Sequence, residues 1–245
     1  GGAPAKPVVK EGDKVKRGDR VAEAGGFVAA HIHTPISGTV VKVDVARTPQ
    51  GMPVEAIYIK SDEADREADA AAMADKSPKR SDAEIAALES KQIIDLIKEA
   101  GIVGLGGATF PAHVKLSPPP GSKAEVVIIN AAECEPCLSC DDMLMRENAA
   151  EIAKGVALLV KAAGVDRGII AIENNKPEAI AAMTAAVATH PGLEVMPMMV
   201  KYPQGGEKQL IEAVIGKEVP SGGLPIATGA IVQNVATAYA VYRAV

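Results

Sequence analysis

The sequence predicts an α/β protein in which a parallel-sheet domain follows a small all-β module. Three observations carry this. Residues 7 to 60 hold short runs of alternating apolar and polar residues, broken by Gly-Asp and Ser-Gly turns, as half-buried strands are. Beyond residue 83, continuous apolar runs such as Val126-Val-Ile-Ile129 alternate with helical stretches, the pattern of buried parallel strands joined by helices. Between the two, residues 61 to 82 turn acidic and Ala-rich, then basic. That composition reads as a solvated connector, partly helical at most, at a domain boundary.

The elements follow in order. Val8-Val9, Val21 to Ala24, Phe27 to Ile32, Thr39 to Val45 and Val54 to Ile59 are the expected strands of the first module. Turns fall at Gly12-Asp13, Gly18-Asp19 and Ser37-Gly38. Ile85, Leu88, Ile93, Ile94 and Ile97 mark one or two short helices stopping at Gly101. The first buried strand, Val126 to Asn130, is followed by a helix over Glu151 to Ala163 with Gly164 as its stop. A strand over Gly168 to Ile172, a helix over Pro177 to Ala188 and a strand over Leu193 to Val200 come next. A helix over Gly206 to Ile215, a short strand at Ala230 to Gln233 and a helical run to Val245 complete the pattern.

Composition excludes several functions. The chain has 245 residues, 48% hydrophobic but 2% aromatic, and a net charge of -5. Single strands of nucleic acid need stacking rings and a basic stripe, and this chain offers neither. No run is long and apolar enough to suggest a membrane helix. The absence of an initiating Met, Gly1-Gly2 at the start and the uncapped run at Val245 read as an excised piece of a longer protein.

Polar residues collect where the strands should end, and open α/β sheets bind ligands there. Asn130-Ala-Ala-Glu133-Cys-Glu135 follows the first strand, Glu173-Asn-Asn175 the second, Tyr202-Pro-Gln-Gly205-Gly-Glu207 the third, and Gln233-Asn234 lies at the fourth. A glycine-rich stretch, Gly104-Leu-Gly106-Gly107-Ala-Thr-Phe110-Pro111, lets backbone N–H groups approach an anion or a flat ring. It is neither a Rossmann fingerprint nor a Walker A loop; Lys115 lies just beyond it. Cys134, Cys137 and Cys140 have cluster-like spacing, but the chain holds no fourth cysteine. His31 and His33 share a face of an expected strand without further ligands nearby, and Met196, Met198 and Met199 read as core.

Four motifs carry a resemblance. Gly104-Leu-Gly-Gly-Ala-Thr-Phe-Pro-Ala-His-Val-Lys115, Asn130-Ala-Ala-Glu-Cys-Glu-Pro136, Tyr202-Pro-Gln-Gly-Gly-Glu-Lys-Gln-Leu210 and Val219-Pro-Ser-Gly-Gly-Leu-Pro225 together resemble the C subunit of the Rnf/Rsx electron-transport complexes. They are more distantly similar to the flavin-bearing subunit of respiratory complex I, and the cobalamin reductase of bacterial microcompartments shares the core. The resemblance implies a Rossmann-like parallel-sheet flavin domain over 83–245. Ahead of it would come a barrel-sandwich of the biotinyl/lipoyl type over 1–60, without a modified lysine, and a linker over 61–82. It also implies that a β-grasp module and a ferredoxin-like domain with two [4Fe–4S] clusters follow in the full-length protein.

The cofactors it implies here are FMN and NAD(H). Gly104, Gly106, Gly107 and Lys115 would hold the flavin and its phosphate. Asn130, Glu133 and Asn234 would line the ring and ribityl chain, Phe110 would stack near the dinucleotide, and Glu135, Tyr202, Gly205 and Glu207 would complete that side. Leu105 stands where the complex I relative carries an arginine. No catalytic acid or base is implied, and no metal ligand: Cys137 reads as a local substitution. The implied partners are other subunits of a membrane complex, an iron–sulfur ferredoxin-like one among them, at the cytoplasmic face of the bacterial inner membrane. The implied role is electron transfer between NAD(H) and iron–sulfur clusters, coupled to ion translocation. The contrasting readings are a non-catalytic docking scaffold within such a complex, or the related cobalamin reductase.

Overall fold

The computed structural model describes residues 2–49, 51–75, 77 and 79–245; Gly1, Gln50, Lys76 and Pro78, and with them the Gly1 part of the excised-piece reading and part of the basic connector, lie outside the described residues. The chain forms two compact units: residues 1–78 with 99–101, and residues 79–98 with 102–245.

The first unit carries β1 (Lys6–Pro7), β2 (Lys14–Val15), β3 (Arg20–Glu23), β4 (Ile32–His33), β5 (Gly38–Arg47) and β6 (Pro53–Lys60). They form two antiparallel three-stranded sheets, ordered β1-β3-β4 and β2-β5-β6. Val15, Val21 and Val40 make a small core, with Val9, Val43, Ile57 and Ile59 against it. Two turns share one construction. Gly12 and Gly18 take positive φ. Asp13 and Asp19 then accept the backbone N–H three residues back, from Lys10 at 2.9 Å and Lys16 at 2.7 Å. Each Gly-Asp pair thus makes a turn that a larger residue would strain.

Three readings differ here. The strand expected at Val8-Val9 falls earlier, at Lys6–Pro7. The expected strand over Phe27 to Ile32 shrinks to Ile32–His33. A Cβ at Gly25 would lie 2.3 Å from the Pro4 carbonyl, so the preceding backbone packs on another chain segment instead of pairing. His31 therefore lies outside the strand, and its Nδ1 accepts the Ala24 N–H at 3.2 Å. The acidic connector is also ordered: α1 (Glu63–Ala74) opens with a reciprocal capping box between Asp62 and Asp65. Asp69 within it is buried because its carboxylate accepts both the Ser37 N–H (2.7 Å) and the Ser37 hydroxyl (2.6 Å). The same two bonds hold its pKa below the usual carboxylate value.

The second unit runs α2 (Asp82–Ala87), α3 (Ser90–Glu99), α4 (Ala112–Lys115), β7 (Val126–Ala131), α5 (Cys140–Glu147), α6 (Ala149–Ala163), β8 (Gly168–Glu173), α7 (Pro177–Val187), β9 (Leu193–Met198), α8 (Glu207–Ile215), a 3-10 turn at Pro225–Thr228, β10 (Ala230–Asn234) and α9 (Val235–Ala244). Its four strands are all parallel, in the order β10-β7-β8-β9. The α/β class with a parallel sheet is thus the observed one.

Alternation sorts the strand side chains into two cores. Val127, Ile129, Ile170, Ile172 and Ile231 pack with α3, α5, α6, α7 and α9. Val126, Ile128, Ile169, Ala171 and Val232 pack with Leu210 and Ile211 of α8. By the same alternation Asn130, Glu173 and Asn234 fall on the α8 face, at the carboxyl edge. Helix α6 ends where expected, with Gly164 in the left-handed region. Strand β9 stops at Met198, two residues early, and leaves Met199 71% exposed in the loop, so that methionine is not core.

Candidate functional site

The polar residues at the carboxyl edge interlock. After α3, Val103 bridges Pro111, and the Gly104 N–H donates to the Phe110 carbonyl at 2.8 Å. Residues 105–109 are thereby closed into an exposed loop, in which Gly107 and Thr109 take positive φ. The loop rests on the start of α9: the Leu105 N–H donates to Thr237 Oγ1 at 2.9 Å. A Cβ on Gly106 would lie 3.2 Å from Asn234 Cβ. Glycine is needed at 106 for this approach and at 107 for its backbone angle.

Asn234 ends β10 and caps α9, its Oδ1 accepting the Ala236 N–H (2.8 Å) and the Thr237 N–H (3.3 Å). Its Nδ2 donates to Asp141 Oδ2 at 2.6 Å. On the next strand Asn130 Nδ2 donates to the Gly205 carbonyl at 2.9 Å, tying β7 to the loop before α8. A Cβ on Gly205 would meet the Ala132 carbonyl at 3.0 Å and Cys134 Sγ at 3.2 Å. Lys115 Nζ donates to Glu207 Oε1 at 2.6 Å and to the Val232 carbonyl at 3.0 Å.

Glu133 has a structural task. Helix α5 receives no side-chain cap from Ser139. Instead Glu133 accepts the Asp141 N–H at 2.9 Å and the Asp142 N–H at 3.1 Å. A carboxylate from the β7 loop thus fills the orphan donors of a helix N-terminus, where negative charge is favoured. Lys176 adds an ion pair at 3.4 Å, and the Glu133 side chain is only 4% exposed.

The side chains of the other expected site residues make no hydrogen bond in this network. Glu135 is exposed and Phe110 half-buried. Tyr202 is 71% exposed and lines an open pocket of about 300 Å³ with Lys201, Pro203, Gln209, Glu212 and Ala213. Among the described residues, only Cys140 of the three cysteines joins a convergent set of possible ligand atoms, with Glu133 and Asp141. Its thiol is pushed up by burial and then by those two carboxylates.

Sequence reasoning gives several residues here no role. Asp141, pushed up by burial, holds Asn234. Glu173 is 1% exposed, and neither carboxylate oxygen makes a hydrogen bond of normal geometry; burial pushes its pKa up, with Lys176 opposing. Gln204 Oε1 and Gln233 Nε2 are likewise buried without a hydrogen-bond partner. Glu173, Gln204 and Gln233 all belong to the strand-end segments, and that position is the available signal. Asp141 lies in a short helix that the periodicity does not reveal.

This geometry meets two family models. The model described as the Nuo51 FMN-binding domain matches residues 97–243. The chain belongs to that family. The model described as the RnfC barrel sandwich hybrid domain matches residues 1–64. The chain is 44% identical, over 97% of its length, to the C subunit of the Na(+)-translocating ferredoxin:NAD(+) oxidoreductase complex of Acetobacterium woodii, spanning 52% of that protein. It is 43% identical over its whole length to the C subunit of the proton-translocating complex of Clostridium ljungdahlii, spanning 51%. The chain thus spans about half the length of these two relatives. Among solved structures, an NAD+-reducing [NiFe]-hydrogenase in its H2-reduced state is similar at TM-score 0.54 and 28% identity, over 64% of this chain and 30% of that one.

The residues present fit the flavin that the family description names. The exposed glycine loop, the Lys115 ammonium, and the buried Gln204 and Gln233 amides and Glu173 carboxyl, each with a polar atom lacking a hydrogen-bond partner, all lie in the loop and strand-end segments. A polar, partly flat ligand needs such groups.

Proposed function

We propose that this chain is the flavin- and NAD(H)-binding part of a membrane-associated electron-transport complex. Such a complex would pass electrons between NAD(H) and iron–sulfur clusters or ferredoxin, coupled to ion translocation. The observation that carries this is the single network joining the glycine loop, Asn234, Asp141 and Glu133 beside the Asn130–Gly205 and Lys115–Glu207 pairs.

In this reading Gly104, Gly106, Gly107 and Lys115 hold FMN and its phosphate. Asn130 and Asn234 set the ring position, and Glu133 acts through the α5 N-terminus. Phe110, Glu135, Tyr202, Gly205 and Glu207 serve the dinucleotide side. Bound FMN supplies the conversion between a hydride and single electrons, and the protein supplies orientation and electrostatics. Residues 1–60 form the barrel-sandwich, 61–82 the connector and 83–245 the flavin domain. Clusters and partner proteins lie elsewhere in the assembly, at the cytoplasmic face. Among the described residues no helix is long and apolar enough to cross a membrane, in keeping with a peripheral position.

A second reading, a docking scaffold with a degenerate site, draws on the fact that Lys115 and Glu207 are already paired with each other. Titration with FMN, followed by anaerobic NADH, separates the two. Saturable binding and bleaching of the flavin band support the first; no FMN binding at high micromolar concentration supports the second.

A further inference from the structure

Lys115 and Glu207 come from distant segments and would serve different ligands in the flavin and dinucleotide reading. In the structure they serve each other. The ammonium of Lys115 sits 2.6 Å from Glu207 Oε1, and the side chains are 30% and 38% exposed. Glu207 is the first residue of α8, a nine-residue helix whose N-cap, Gly206, offers no side-chain acceptor. The Glu207 carboxylate therefore lies between two positive features, a lysine and a helix N-terminus. A phosphate group favours the same surroundings. The second bond of Lys115, to the Val232 carbonyl, fixes the ammonium against β10, two residues before Asn234. Its reach is thus set from two sides, and a second anion at the ammonium must contend with the first.

We propose that Glu207 is a resident anion at the phosphate anchor of this site, and that a phosphate monoester binds Lys115 only by displacing it. The inference rests on the flavin reading above and adds a rule of selection to it. Part of the attraction between Lys115 and an incoming phosphate is offset by the loss of the existing pair. The site therefore distinguishes FMN from riboflavin less sharply than an unpaired lysine would. Glu207 holds Lys115 in position before the ligand arrives, and the same contact limits how tightly the phosphate is gripped.

The test uses the 245-residue chain, in buffer free of phosphate and at fixed ionic strength. Wild type, Glu207→Gln and Lys115→Met are titrated with FMN and with riboflavin, and thermal melts establish that each is folded. Glu207→Gln keeps the side-chain length and removes the charge. It is expected to raise FMN affinity about two- to fivefold, the worth of a partly exposed ion pair, and to leave riboflavin affinity unchanged within error. Lys115→Met is expected to lower FMN affinity and leave riboflavin binding unchanged. If Glu207→Gln leaves the ratio of FMN to riboflavin affinity unchanged or lowers it while wild type binds FMN, the displacement is overturned and the flavin reading stands. If wild type and both variants bind neither flavin, the flavin reading falls and the displacement falls with it.

Discussion

Asn234 holds Asp141 at 2.6 Å through its amide nitrogen while its amide oxygen caps α9. One side chain thus fastens the end of β10 to the start of α5 and starts the helix under the glycine loop. Asn234→Ala removes the cap and strips the half-buried Asp141 of its donor. The expected loss is about 1–3 kcal/mol of unfolding free energy, read by urea denaturation. Asn234→Asp keeps a capping acceptor but sets a second carboxylate beside Asp141. Burial already raises the Asp141 pKa, and a like charge raises it further. Stability of this variant is therefore full at low pH, where the pair is protonated, and is lost as pH rises through the folded pKa. A denaturation midpoint that falls between acid and neutral pH more steeply than in wild type is the expected result.

Glu173 gives a second pH signature. Its carboxyl is 1% exposed, and burial raises its pKa above the ordinary 4.5. The stability it contributes is fully present below that unfolded value and is lost as pH rises through the folded one. Glu173→Gln cannot ionise. The variant is expected to exceed wild type by about 1–3 kcal/mol at pH 7, and the gain should vanish in acid. An equal effect at both pH values would contradict the assignment.

Gly155 lets two helices touch. A Cβ there would stand 2.0 Å from the Ala238 carbonyl in α9. That carbonyl is helix backbone and cannot turn aside, so the helices must part. Gly155→Ala, ordinarily a helix-favouring change, is expected to destabilise at the upper end of about 1–3 kcal/mol. Gly216→Ala offers a contrast: its Cβ would meet nothing within 4 Å, and its positive φ alone sets the cost. Paired melts of the two variants separate packing from backbone strain.

Phe110 is one of two rings in the proposed site. Its carbonyl closes the glycine loop, so Phe110→Ala leaves that hydrogen bond in place. NAD(H) affinity is expected to fall about three- to tenfold, the worth of one aromatic contact, with FMN affinity changed less. Equal losses for both ligands would remove the stacking role.

The parts legible in the sequence are those governed by local pattern. Helix α6 shows its apolar spacing and its Gly164 stop; β7 shows an unbroken apolar run. Helix α5 is hidden because Met143, Leu144 and Met145 are consecutive instead of spaced by helical turns, and because its cap arrives from Glu133 across a loop. The acidic stretch of α1 reads as solvated because the partner that buries Asp69 is Ser37, far away in sequence. In the site, the glycine loop and strand-end amides can be read from residue type and position. That Lys115 pairs with Glu207 cannot, because only the sheet order brings α4 and α8 to the same edge.

That sheet order also dictates when the site can exist during synthesis. Strands β7, β8 and β9 pair in the order in which they leave the ribosome, whereas β10 emerges last and inserts beside β7, Ala230 against Val126. Until then one edge of β7 is unpaired and the α6 surface that receives α9 is bare. Pairings of such long sequence separation close slowly. Asn234, Thr237 and the Val232 carbonyl all arrive with this last segment. On the proposed flavin reading, ligand affinity therefore marks the closing of this four-stranded sheet: a nascent chain that has made three of its strands has a core but no cradle.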